Sequence, residues 1–368
     1  MEIIHLILGK ANPERMNGVN KVVYQLATRQ AAAGKKVAVW GITKKTDHNY
    51  GERIFTTELF QARRNPFKVD KSLKAAIKQK KDKAVFHLHG GWIPAYAPLS
   101  AWFHKHQIPF VLTPHGAYNT VAMQRSPWMK KLYFRFFEKK LLDRAHRVHS
   151  IGESEVDGLE SIYPNTKSFL LPYGFVAPDS PQKPKTDDEF IIGFVGRLDI
   201  YTKGLDLIID AFAEFQQKNR QAKLWIVGDS NEKEVLVKMI DRKNLKHVTL
   251  WGSKYGNDKD ELMRQMHVFV HPSRNEGLPS AVLEACSMGI PAIVSRATNV
   301  GNYITSFKSG YCINNENPAA LTDALQKLYY KQQAGQISSL SANARAMVRE
   351  VFDWNTLVEK FDTLYRLA

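Results

Sequence analysis

The sequence predicts an α/β protein of two domains, each organised around a parallel sheet with helices on both faces. Three observations lead there. Short apolar runs alternate with helix-period segments, this alternation occurs twice along the chain, and a polar stretch with three prolines separates the two series. A chain of 368 residues is long enough for two cores of ordinary size.

In the first series, residues 3–8, 37–40, 84–89, 110–113 and 147–150 read as buried strands. Gly34 suits the left-handed stop of the first helix. Residues 172–189 then carry Pro178, Pro181 and Pro184 among polar neighbours and read as a connection. In the second series, residues 190–195, 223–227, 248–251, 268–271 and 292–294 repeat the scheme. A helical stretch from about 340 to 367 closes the chain, broken near Phe352-Asp353-Trp354. The expected organisation is an N-terminal domain over 1–178, a linker over 179–189, a C-terminal domain over 190–350, and a helix over 351–368 that returns to the first domain. No G-x-G-x-x-G opens either half, which weakens a dinucleotide-dehydrogenase reading.

Composition narrows the setting. No run approaches the roughly 18 apolar residues of a membrane span. The first residues place an acid, Glu2, where a signal peptide needs positive charge. Only Cys286 and Cys312 occur, too few for a disulfide framework or a cysteine metal site. A cytoplasmic location is therefore expected. The net charge of +16 is uneven: residues 1–180 hold 28 basic against 14 acidic side chains, and the remainder 24 against 22. Such a field attracts phosphates, nucleic acid or an anionic membrane, and by itself does not choose among them.

Residues 271–295, HPSRNEGLPSAVLEACSMGIPAIVS, carry the most chemical information. A strand leads through a loop into a helix. Gly277 lets backbone approach a ligand closely, and Pro279 fits a first helical turn because its missing N–H would be unpaired there anyway. The free N–H groups of that turn form an anion site suited to phosphate, and Leu278, Pro279 and Ser280 are expected among the residues that bind the donor. Glu276 sits in the loop, where it can accept hydrogen bonds from sugar hydroxyls. Glu284 lies four residues beyond Ser280 on the same side of the helix, within reach of ribose hydroxyls. Upstream, Gly196-Arg197-Leu198 and Lys203-Gly204 follow the first strand of this half, so both cations fall at the carboxyl edge of the sheet and can neutralise a diphosphate.

At these residues the chain resembles the retaining glycosyltransferases of the GT-B fold, family 4. Glu276 and Glu284 match the family's E-x7-E signature, and Gly196-Arg197-Leu198 with Lys203-Gly204 match its G-R-L and K-G. The resemblance spans both halves and implies two Rossmann-like domains facing a central cleft. It also implies that Glu276 holds the donor sugar, Glu284 the ribose, and Arg197 and Lys203 the diphosphate. In the family, transfer is proposed to occur by front-face attack, with the leaving phosphate taking the acceptor's proton. The implied activity moves a hexosyl or N-acetylhexosaminyl unit from a nucleotide-diphosphate sugar, a UDP-sugar ahead of GDP-mannose, to a glycan or lipid-linked saccharide. No cofactor and no metal are expected.

In the first half, Asn17-Gly18-Val19 occupies the place of the family's Gly-Gly-Val, with Asn17 a departure from it. Thr113-Pro114-His115-Gly116 resembles the family's active-site histidine motif, which makes His115 a contact to the donor sugar. His89, Tyr118 and Asn119 are expected on the acceptor side together with Asn17. His87 and His89 share one side of a strand, a possible metal pair elsewhere, but no third ligand is evident from the sequence nearby. His89 reads as cleft-lining and His87 as buried. Asp258-Lys259-Asp260 mimics a D-x-D metal motif and reads better as helix capping.

Two segments hold much of the positive charge. Residues 68–83 contain seven lysines against Asp70 and Asp82; on a helix, Lys71, Lys74, Lys78 and Lys81 share a face away from Leu73 and Ile77. Residues 126–147 add seven basic residues interleaved with aromatics, Ser126-Pro127 forming a helix start. The bland account is a solvated lysine face plus a core helix. The sharper one is docking on the anionic inner face of the cell membrane to reach a lipid-linked acceptor, which makes the protein peripheral there. A basic nucleic-acid-binding protein and another GT-B enzyme, such as a nucleotide-sugar epimerase or a phosphorylase, are the rival readings; no nucleic-acid partner is expected, because no such motif accompanies the charge.

Overall fold

The computed structural model describes residues 1–12, 18–48, 50–118, 127–176 and 189–366. Most of the expected linker, and with it Asn17, Asn119 and Ser126, lies outside the described residues. The chain divides into two compact units, one of residues 1–173 with 354–368 and one of residues 174–353.

The first unit runs β1 (Glu2–Leu8), α1 (Gly18–Ala32), β2 (Val37–Thr43), β3 (Thr56–Gln61), α2 (Lys71–Gln79), β4 (Ala84–His89), α3 (Tyr96–Lys105) and β5 (Phe110–Thr113). It continues with α4 (Pro127–Tyr133), a π-helical turn over Phe134–Glu138, α5 (Lys139–Arg144), β6 (Arg147–Ser150), α6 (Glu153–Ile162) and β7 (Ser168–Leu170). All seven strands pair in parallel in the order β3-β2-β1-β4-β5-β6-β7. Parallel neighbours need covered faces, and the apolar runs supply them: Leu6, Trp40, Phe86 and Leu112 pack with Leu99 and Phe103 of α3. Gly34 stops α1 at φ +78°, as its sequence position suggests. Asp70 caps α2 by accepting the Ser72 N–H, and the helix buries Leu73 and Ile77 while Lys71 and Lys78 stay exposed.

The second unit runs β8 (Ile191–Val195), α7 (Ile200–Lys203), α8 (Leu205–Lys218), β9 (Lys223–Val227), α9 (Lys233–Arg242), β10 (Val248–Gly252), α10 (Gly256–Gln265) and β11 (Val268–His271). Then follow α11 (Ser280–Ser287), β12 (Ala292–Ser295), α12 (Gly301–Ser306), β13 (Gly310–Ile313), α13 (Pro318–Gln333) and α14 (Ile337–Val351). Its six strands are also parallel, in the order β10-β9-β8-β11-β12-β13. Alternate residues of each strand feed opposite cores. Phe194, Ile226 and Val270 meet Phe212 of α8, whereas Val195, Val227 and Phe269 meet Val282 of α11 and Met347 of α14. The last helix, α15 (Trp354–Tyr365), belongs to the first unit, where Tyr365 and Asp362 bond to Gln30 and Lys35 at the end of α1.

Three strands escape the sequence reading: β3, β7 and β13. One feature is misassigned. Helix α10 begins at Gly256 with Tyr255 as an N-cap that makes no side-chain bond, so Asp258 lies inside the first turn and does not cap it. Its benefit there is the attraction of an acid for the helix N-terminus.

In both sheets the strand order reverses between the first strand and the fourth, at β1/β4 and at β8/β11. In open α/β sheets the loops leaving the carboxyl ends of such strands flank the ligand crevice. At the second reversal the backbones come very close. Gly228, after β9, sits at φ +149°, where a Cβ would collide with the carbonyl oxygen of Gly196 after β8. The loop carrying Arg197 can therefore pass beside β9 only because residue 228 has no side chain.

Candidate active site

Two segments leave the carboxyl edge of the second sheet at its reversal: residues 196–206 after β8 and residues 272–279 after β11. They are fastened to each other. The Arg274 guanidinium donates both Nη groups to Asp206 at 2.8 Å and a further bond to the Tyr201 carbonyl at 2.7 Å. The Arg274 N–H and the Ser273 hydroxyl both donate to the Thr202 carbonyl. Gly204 ends α7 in the left-handed conformation at φ +69°, where a Cβ would strike the Pro272 carbonyl. A bidentate fork restricts geometry as well as adding energy.

This fastening brings Lys203 against Glu276. Lys203, the last residue of α7 and so on a helix end where the sequence suggested a loop, donates its ammonium to Glu276 Oε2, and His271 Nε2 approaches the same oxygen at 3.4 Å. Burial raises the Glu276 pKa, but the His271 hydrogen bond and the Lys203 charge outweigh it and hold the carboxyl down at about 2. Burial lowers the pKa of His271, so its ring is a neutral donor to Glu276 and not an ion-pair partner. That ring stacks on Phe194, with 8° between planes. Glu276 is thus an ionised carboxylate, fixed in position and partly accessible, suited to accepting hydroxyl hydrogen bonds.

The remaining residues expected here take less uniform positions. Arg197 is the most exposed, its side chain 70% accessible and 3.3 Å from Asp199. Gly196 continues β8 by donating its N–H to Val227. Pro279 is the N-cap residue of α11, one position before the helix, and its carbonyl accepts the Val282 and Leu283 N–H groups. Ser280 is exposed at the first helical position, and Gly277 and Leu278 are half-buried. With the Val282 N–H taken by the Pro279 carbonyl and no N–H on Pro279, the N–H groups of Ser280 and Ala281 are those that this turn can offer an anion. Glu284 is half-buried and accepts from Lys259, the central residue of the D-K-D triplet, which also lies 3.5 Å from Asp260.

Asn299 escaped the sequence reading. It adopts φ +58°, and its amide donates to the Glu276 and Gly277 carbonyls at 2.7 and 2.8 Å. An asparagine where a chain must turn left-handed was the available signal. Lys259 gave none, because its partner lies 25 residues away.

In the first unit, His115 leaves β5 at φ +55°, followed by Gly116 at φ +81°. Buried Glu155 accepts the Gly116 N–H and the Ile151 N–H, so one carboxylate ties the loops after β5 and β6. Burial pushes its pKa up to about 7, against the Ile151 bond that lowers it. His115 is half-buried, with Nε2 2.9 Å from His89 Nδ1. His89 itself is 1% exposed, so it supports His115 from within the sheet instead of lining a surface. His87 is buried as expected, and the third imidazole that the sequence did not reveal is His5, in register with His87 across β1 and β4. Tyr118, expected on the acceptor side, is a core residue: it is fully buried and its hydroxyl donates to Glu138, which also receives the Trp92 N–H. Gly18 starts α1; Asn17 and Asn119 lie outside the described residues.

Residues 16–175 match the family described as Glycosyltransferase Family 4, and residues 176–347 match that described as Glycosyl transferases group 1. The capsular polysaccharide biosynthesis glycosyltransferase CapM of Staphylococcus aureus is 24% identical over 187 residues, 49% of this chain and 46% of CapM, so the chain spans about half the length of this curated relative. Among solved structures, a sucrose-phosphate synthase from Thermosynechococcus elongatus superposes with a TM-score of 0.72 at 21% identity, covering 100% of this chain and 98% of that one. HepE of Anabaena in complex with UDP-glucose superposes with a TM-score of 0.69 at 15% identity, covering 99% and 98%. At these identities the likeness is one of fold.

The depressed pKa of Glu276 makes stability depend on pH with a definite sign. A carboxyl held at about 2 in the fold, against 4.5 ordinarily, contributes stability above about pH 4.5 and loses it as pH falls toward 2. In urea unfolding, wild type is expected to exceed Glu276→Gln in stability at pH 6, with the gap narrowing steadily below pH 4.5. A gap that does not change with pH contradicts an ionised, paired Glu276.

Proposed function

Since this chain belongs to the glycosyltransferases of the GT-B fold and family 4 type, we propose that it transfers a hexosyl or N-acetylhexosaminyl unit from a nucleotide-diphosphate sugar to a glycan or lipid-linked acceptor. The observation that carries this reading is the Lys203–Glu276 pair at the reversal of the second sheet. A fixed carboxylate accepts hydrogen bonds from sugar hydroxyls. The adjacent ammonium favours the charge that gathers on a departing diphosphate, which is where such a cation accelerates transfer. The N-terminal turn of α11 takes a phosphate, Glu284 the ribose, and exposed Arg197 closes on the diphosphate. For His115 we propose the role that the family resemblance implies, accepting from a hydroxyl of the sugar. With diphosphate charge met by Lys203 and Arg197, the proposed reaction needs no metal; retention is proposed on the family resemblance. The proposed donor is a UDP-sugar; HepE, of the same fold, is described in complex with UDP-glucose.

The acceptor is proposed to be membrane-linked. In α4 and the π-helical turn that follows, Trp128, Leu132 and Phe136 recur every four residues and are 83, 62 and 51% exposed, with Met129 beside them at 76%. This is not the core helix of the bland reading. Lys131, Arg135, Lys139 and Lys140 are exposed on the same stretch, and Lys131 lies over the Trp128 ring. Exposed aromatic and aliphatic side chains among cations suit insertion at an anionic lipid surface, where each lysine or arginine contributes about 1 kcal/mol. No helix among the described residues is long and apolar enough to cross a membrane.

Two measurements test these proposals. In a thermal-shift screen of UDP, GDP, ADP and their sugars, UDP and one UDP-sugar are expected to raise the melting temperature of wild type, and Glu276→Ala is expected to lose the sugar's added effect. Conversion of that donor without a glycoside product points to an epimerase and contradicts transfer. For the membrane proposal, co-sedimentation with liposomes is expected with phosphatidylglycerol and not with phosphatidylcholine, and to fall sharply in Trp128→Ser/Leu132→Ser. Equal binding to both lipids contradicts it.

A further inference from the structure

The first unit contains five histidines whose rings form one hydrogen-bonded series. His5 and His87 are neighbours across β1 and β4, His89 stands two residues along on the same face, and His149 comes from β6. Gln30 of α1, Tyr365 of α15 and Thr113 of β5 complete it. His5, His87, His89 and His149 are at most 1% exposed, and burial depresses the pKa of all five rings, His115 to about 3 and His5 and His149 to about 4.

With every ring neutral, a single carbonyl fixes every proton. The Leu171 carbonyl can only accept, so His149 Nε2, 2.7 Å away, carries the hydrogen and Nδ1 is an acceptor. Thr113 then donates to His149 Nδ1 at 2.7 Å and accepts from His87 Nε2–H. His87 Nδ1 takes the Tyr365 O–H at 2.9 Å, so the Tyr365 oxygen accepts from the Gln30 amide at 3.2 Å. The Gln30 carbonyl oxygen accepts from His5 Nε2–H at 2.7 Å, His5 Nδ1 from His89 Nε2–H at 2.9 Å, and His89 Nδ1 from His115 Nε2–H at 2.9 Å. All donors point one way. Reversing any link would leave either two hydrogens facing each other or a hydrogen demanded of the Leu171 carbonyl.

We propose that this relay fixes His115 as the Nε2–H tautomer, leaving the Nδ1 lone pair to accept from a substrate hydroxyl, with His89, His5, Gln30 and Tyr365 as positioning residues. A ring so held takes a sugar O–H and disfavours a phosphate oxygen, which would meet a lone pair instead of a hydrogen. His5, His87 and His89 bring their nitrogens within 4.8 Å of one another, and both nitrogens of each already have hydrogen-bond partners, so a metal bound there would have to break the relay. The inference rests on the placement of His115 in the sugar site proposed above.

Long-range proton–nitrogen correlation spectra of the full chain, labelled with nitrogen-15 histidine, read each ring directly; His115→Gln identifies the signals of residue 115. At pH 7, all five rings are expected to be neutral with the hydrogen on Nε2. Tyr365→Phe removes the one hydroxyl that sets the direction of Gln30, and is expected to turn His115 into a mixture of tautomers. It should also raise the donor KM about three- to tenfold with kcat little changed. Gln30→Met serves the same purpose should Tyr365→Phe not fold. The relay is overturned by a wild-type His115 protonated on Nδ1, by unchanged His115 signals in a folded variant, or by stoichiometric zinc bound through His5, His87 and His89. Full turnover in His115→Ala with the wild-type pattern intact overturns instead the placement of His115 in the sugar site.

Discussion

Lys203 and Glu276 are 73 residues apart in sequence, and their side chains, 17 and 18% exposed, meet where the second sheet reverses its winding. Neither group is stable there alone. An ammonium or carboxylate withdrawn from water needs its partner, and removing one member of such a pair leaves the other as an uncompensated charge. Much of the surrounding structure serves to keep them together. Arg274 and Asp206 bolt the two loops side by side, Ser273 and Arg274 hold the Thr202 carbonyl, and Asn299 binds the carbonyls of Glu276 and Gly277. Gly204 and Gly228 give these segments the room to approach. The attraction within the pair is offset in part by the cost of withdrawing both charges from water. What the fold gains is a carboxylate and a cation at fixed positions, which is what the proposed sugar and diphosphate site requires.

The two units reach fixed polar geometry by opposite means. The second pairs its charges: Lys203 with Glu276, Lys259 with Glu284, Arg274 with Asp206. The first holds five imidazoles neutral in one hydrogen-bonded series and surrounds its buried Glu138 and Glu155 with N–H and O–H donors, while its lysines and arginines remain at the surface. Buried polar networks are costly when half satisfied; the series in the first unit satisfies both nitrogens of each of its four buried rings, whereas His271 Nδ1 and Arg274 Nε in the second have no hydrogen-bond partner among the described residues.

Much of this was legible in the sequence. Ten strands announced themselves as apolar runs; nine of them are largely buried, and the tenth, β10, is an edge strand that is apolar but only half-buried. The three that did not, β3, β7 and β13, are all sheet edges. Thr56–Gln61 is largely polar and half exposed, Ser168–Leu170 is only three residues long with none buried, and Gly310–Ile313 opens with a glycine, so none shows a buried strand's composition. Among the candidate residues, Glu276 and Lys203 of the second unit and His115 of the first were singled out through motif spacing, which records position along the chain. Partnership was invisible. That Lys259 reaches Glu284, that Tyr118 turns inward to Glu138, and that His5 stands beside His87 all depend on which strands and helices become neighbours, and β1 and β4 are far apart in sequence.

The claim that Lys203 and Glu276 act as one unit is tested most directly by a double-mutant cycle in urea unfolding at pH 7, with Lys203→Met, Glu276→Gln and the two combined. Each single change should strand a partly buried charge or dipole, so the combined variant is expected to lose less stability than the two losses added, by more than about 1 kcal/mol. Losses that simply add would mean that the two side chains are neighbours without being partners, and the account of this site would be wrong at its centre.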